Sequence, residues 1–178
     1  NSGYLEIGNH LITNHDALRI TGGHEFFHLV QDLYNYDEKY NWLQEASSTW
    51  FEAYLTLNPS GYVPPNYTNN RIQTFLGVKN GAAGSETETI YGYGSTAILK
   101  YLMTYNNQTG QPKAIRYIWD AVAYNKPPVE AIVSYPIIDH DWWHDFIKEH
   151  HMGHLYNDSL FLGFNNNYFI DGGHGGKW

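Results

Sequence analysis

Cysteine is missing from all 178 residues, and its absence excludes disulfides, a cysteine nucleophile and any thiolate metal site. Any metal must be held by histidine and carboxylate. Basic residues are scarce: 10 Lys and Arg face 18 Asp and Glu, for a net charge of −8 and a pI near 5.6. No run of Lys and Arg offers a stripe for phosphates, which argues against a nucleic-acid partner. Ten histidines alter that balance only below about pH 6.5, where they begin to charge. Long apolar runs are lacking too, since none approaches the roughly 20 residues that span a bilayer. There is no internal repeat and no low-complexity linker. The length suits one compact domain with its own core, or one domain and a short appendage.

Aromatic residues, by contrast, make up 17% of the chain. With so few Lys and Arg, this balance is associated with secreted bacterial proteins, and a secreted or extracellular location is expected. The chain opens at Asn1 without Met or a signal peptide in view, as a mature form or an excised piece would.

The chemistry concentrates in His24-Glu25-Phe26-Phe27-His28, an HExxH sequence. On an α-helix two histidines four apart stand one turn along the same face, so both imidazoles reach one metal ion. Glu25 can face the same site and take a proton from water activated there. A catalytic zinc uses three protein ligands and keeps one position open. The third ligand is expected at Glu45, which follows His28 by 17 positions in an apolar, helix-compatible stretch, Trp42 to Leu57. The alternative HExxHxxGxxH pattern fails, because its Gly and last His positions hold Gln31 and Tyr34.

These residues resemble the gluzincin metallopeptidases, in particular the aminopeptidase N and leukotriene hydrolase branch. The family's WLNEG helix is similar to Trp42-Leu43-Gln44-Glu45-Ala46, with Gln for Asn and Ala for Gly, and its metal-binding Glu falls on Glu45. Its YxxG motif, which opens a helix, is similar to Tyr91-Gly92-Tyr93-Gly94. The resemblance implies that Tyr91, with Tyr93 as the alternative, steadies the tetrahedral intermediate. The GxMEN strand that holds a substrate's amino group has only an echo in Gly3-Tyr4-Leu5-Glu6, so an endopeptidase is expected rather than an exopeptidase. The HEFFH phrase followed by a WxxE-type helix also resembles secreted bacterial metallopeptidases of small size.

The expected fold is α+β, a zincin-like domain over residues 1–154, mainly helical with a small N-terminal β-sheet edge. Residues 3 to 12 alternate between apolar and polar and read as strand. Thr21-Gly22-Gly23 reads as a helix start with Thr21 as N-cap, the helix running to Tyr34. Further helices are expected at about 40–57, 71–76, 94–106, 112–124, 129–135 and 139–151. Residues 155–178 form a C-terminal extension, a hairpin or the first strands of a truncated domain.

The expected function is zinc-assisted peptide-bond hydrolysis of a peptide or protein substrate, with one Zn2+ held by His24, His28 and Glu45, Glu25 as general base, and Asp32 and Glu52 orienting the imidazoles. Three other readings stay open: a zincin that binds zinc without turnover, a glycan-binding or adhesion module built on the aromatics, and a structural zinc domain, disfavoured without cysteine. The histidines at 140, 144, 150, 151 and 154 fit an exposed helix better than a second metal site.

Overall fold

The computed structural model describes residues 4–56, 86–103, 112–136 and 141–151. Among them every regular element is helical: α1 His15–Asp32, α2 Asn41–Leu55, α3 Glu86–Tyr101, α4 Lys113–Ala123, α5 Pro128–Val133 and α6 Trp142–His151, with short 3-10 turns at Asn9–Leu11 and Glu38–Tyr40. No helix among the described residues is long and apolar enough to cross a membrane.

The class is therefore all-α, which corrects the α+β expectation. The expected N-terminal sheet edge is absent among the described residues: residues 4–8 carry no regular structure, and the chain turns at Asn9–Leu11, where the Leu11 amide donates to the Gly8 carbonyl at 2.9 Å. Tyr4, Leu5 and Ile12 are exposed. Alternation alone does not make a strand; the backbone also needs a neighbour to pair with, and the described residues supply none.

Helix α1 starts earlier than expected. Asn14, not Thr21, caps it, accepting from the Ala17 amide at 3.1 Å, and Asp16 sits in the first turn where the helix dipole favours a negative charge. Gly22 and Gly23 lie inside the helix. Gly23 serves close approach: a Cβ on it would collide with Leu55 Cδ1 and lie 3.6 Å from Phe51 Cε1 on α2.

Helix α2 is the centre of the packing, lying against both α1 and α3. The small residues Ala46, Ser47, Ser48 and Thr49 are all buried on it and let backbones come near on both sides. The Thr96 hydroxyl of α3 donates to the Ala46 carbonyl at 3.1 Å, and the Trp119 indole of α4 donates to Ser47 Oγ at 3.1 Å. Leu43, Trp50, Leu99, Leu102, Ile118 and Phe146 close the core. Helix α4 ends with the Asn125 and Lys126 amides donating back to the Val122 and Ala121 carbonyls. Asn125 takes the left-handed conformation there, φ 63°, a helix stop that asparagine tolerates well. Pro128 then opens α5.

The expected helix at 71–76, the strand-like tail at 155–178 and the boundary between the two expected regions lie outside the described residues. Truncating a fully buried side chain tests the core directly. Leu43→Ala should lower unfolding stability by roughly 2–5 kcal/mol, whereas Leu33→Ala, at a position 85% exposed, should change it by less than about 0.5 kcal/mol, both read by urea denaturation.

Candidate metal centre

Helix α1 buries two residues fully, and both are polar: His24 and Gln31. Buried polar side chains must find partners, so this face must meet a polar face of another element. It meets α2. Contacts pair His24 with Glu52, His28 with Ser48, and Gln31 with the Gln44 carbonyl. Partner numbers fall along α2 as they rise along α1, so the two helices run antiparallel.

Between them His24 Nε2 lies 3.2 Å from Glu45 Oε2, and His28 Nε2 lies 3.7 Å from Glu45 Oε1. The imidazoles meet edge to face, with centroids 4.8 Å apart. One ligand atom from each of His24, His28 and Glu45 lies within 4.8 Å of the others, a group able to hold a metal ion.

The surrounding hydrogen bonds fix which nitrogen of each ring faces inward. A backbone carbonyl only accepts, so the Gln31 amide turns its Nε2 to the Gln44 carbonyl, at 2.9 Å. Its Oε1 then faces His28 Nδ1 at 2.8 Å, with Ser48 Oγ 3.2 Å from the same nitrogen. His28 Nδ1 must donate, which leaves a lone pair on Nε2. The Glu52 carboxylate likewise only accepts, and lies 2.6 Å from His24 Nδ1. In their neutral forms both rings thus turn an Nε2 lone pair toward a carboxylate that is itself an acceptor.

Converging lone pairs call for positive charge. Glu45 Oε2 is buried without a hydrogen-bond partner, although His24 Nε2 is near. In the metal-free protein a proton supplies part of the charge: burial lowers the His24 pKa, but the Glu45 and Glu52 carboxylates outweigh it and hold it at about 9. Two imidazoles and a carboxylate, with an oxygen left unsatisfied at their centre, fit a divalent metal ion.

Helix α3 completes the surroundings. The Tyr93 ring lies 6.3 Å from that of His24. Burial pushes its phenol well above the ordinary range, and the charges of Glu45, Glu52 and Glu25 with a hydrogen bond to Glu45 add to the effect. Glu25, half-buried, is thereby placed near the same site. The motif Tyr91-Gly92-Tyr93-Gly94 lies within α3 and not at its start, because Gly92 serves packing. A Cβ there would collide with Glu45 Cβ and sit 2.8 Å from the Trp42 carbonyl.

The structure brings together His24, His28, Glu45, Glu52 and the neighbourhood of Glu25. Asp32, expected beside an imidazole, is exposed, and its expected place at His28 Nδ1 belongs to Gln31, one residue earlier on the buried face. The Tyr91 side chain, and those of the histidines at 140, 150, 151 and 154, lie outside the described residues; His144 is exposed. Gln31 and Ser48 were missed, Gln31 having counted only against a third histidine. A signal existed, since each follows a ligand by three residues and so returns to its face.

Replacing Gln31 by Ala should weaken zinc binding by about 10- to 100-fold, measured by competition with a chromophoric chelator. Gly92→Ala should also weaken it, with all three ligands intact, by displacing Glu45. Gly22→Ala, whose added methyl meets only Ile7 Cδ1 at 3.4 Å, should leave affinity unchanged. No family model matches the chain, and neither does any curated protein or solved structure.

Proposed function

We propose that this protein is a zinc-dependent metallopeptidase of the gluzincin type, cleaving within peptide chains. One observation carries the reading: His24, His28 and Glu45 bring one ligand atom each within 4.8 Å of the others, and Glu25 follows His24 in the same HExxH turn, close enough to act electrostatically on Tyr93. Zinc held by these three would supply Lewis acidity, polarising a peptide carbonyl and acidifying a water molecule.

The chain's own groups do the rest. Glu25 accepts the proton of the attacking water on its carboxylate and passes it to the departing amine. Glu52 and Gln31 hold the imidazoles by Nδ1, so that neither ring rotates or changes tautomer during turnover. Tyr93 keeps its proton at neutral pH, because burial and three neighbouring carboxylates oppose ionisation. It is therefore a hydrogen-bond donor, available to an oxyanion that develops near His24. Retention of Glu25 favours this reading over a zinc-binding protein without turnover. The adhesion reading has less support, since Phe27, Phe51 and Tyr54 stack on one another.

The test compares the native chain with its variants on casein. The native protein should cleave internally, lose activity to a chelator and regain it with zinc. Glu25→Gln should abolish hydrolysis while keeping one zinc per chain; undiminished cleavage by that variant refutes the assigned base, and zinc without cleavage in the native chain refutes the peptidase. Tyr93→Phe should lower kcat by about 10²- to 10³-fold, and Tyr91→Phe decides between the two tyrosines.

A further inference from the structure

Along a face of α1 adjoining the one that meets the metal centre lies a cavity of about 420 Å³. Phe27, Val30 and Tyr34 of α1, Trp50 and Phe51 of α2 and Trp119 of α4 form its wall. None of His24, Glu25, Glu45 or Tyr93 borders it, so it is separate from the metal centre. Its volume falls in the range of small-molecule sites.

The wall says what can enter. Two buried polar groups border the cavity, and both are already engaged. The Gln31 amide is used by His28 at one end and by Gln44 and Ser48 at the other. The Trp119 indole N–H is used by Ser47. Apart from the Tyr34 and Tyr54 hydroxyls the rest of the described wall is mainly apolar, so a peptide or sugar placed there would find few partners for its polar groups, at a cost that hydrocarbon avoids. The rim differs. Lys113 and Arg116 stand exposed at it, and no acidic side chain among the described residues borders the cavity. Arg116 has only a loose contact with Asp120, at 3.7 Å between largely exposed groups. Two bases together are notable in a chain of net charge −8 with 10 Lys and Arg.

We propose that this cavity binds a single-chain amphiphile with an anionic head, of the medium-chain fatty-acid class. The hydrocarbon lies between the aromatic rings, and the carboxylate stays at the rim with Lys113 and Arg116. The site does not depend on the peptidase reading.

Calorimetry on chelator-treated protein tests it, with dodecanoate below its micelle concentration as the probe. Trp50 and Trp119 in the wall give a second readout by fluorescence. Saturable one-to-one binding is expected. The exposed double variant Lys113→Glu with Arg116→Glu should weaken it by roughly tenfold or more, and dodecyltrimethylammonium should bind the native chain at least about tenfold less tightly than dodecanoate does. Absence of saturable binding, equal binding of the cationic probe, indifference to the double variant, or binding seen only after zinc is restored each overturns the proposal.

Discussion

Two carboxylates on a helix packed between α1 and α3 must be answered by positive charge. Glu45 and Glu52 project from α2 toward α1, while the same helix buries Leu43, Ala46, Ser47, Ser48, Thr49 and Trp50. Carboxylates placed so near a core are tolerated only when paired. One is met by a ring N–H of His24; the other faces the Nε2 atoms of both rings, where a proton on His24 answers it in the metal-free protein. The arrangement is built around positive charge, and much of the local sequence follows from that. Gly92 lets α3 close over Glu45, and Ser48 gives His28 a small polar neighbour.

Helix α1 has two working faces. One carries His24, His28 and Gln31 toward α2, the other carries Phe27, Val30 and Tyr34 toward α4. Gln31 touches both environments, its amide holding a ligand ring while its stem borders the apolar cavity. A side chain so placed is committed in every direction, which explains why it is almost fully enclosed despite its polarity.

Much of the centre was legible because its signals are local. The HExxH spacing places two rings on one face by helix geometry alone, and Glu45 stood out in the apolar stretch after it. Helix existence was readable from periodicity, and α2, α4, α5 and α6 lie near their expected bounds. What escaped was tertiary. Gly22, Gly23 and Gly92 read as marking helix starts, yet each sits inside a helix, where Gly23 and Gly92 face another helix too closely for a side chain. The N-terminal alternation suggested a strand, but pairing is a property of two segments and only one was in view. Asp32 reads as a partner for an imidazole, whereas the fold turns it to solvent and gives His28 the neighbouring Gln31.

The three converging residues span only two neighbouring helices, Glu45 following His28 by 17 positions. An ion shared by them would close a short loop of the unfolded chain, as a covalent cross-link does. Bridging a loop of that size removes freedom worth on the order of 3 kcal/mol from the unfolded ensemble. In a polypeptide with no sulfur cross-links to draw on, the ion would clamp the hairpin as well as serve its chemistry.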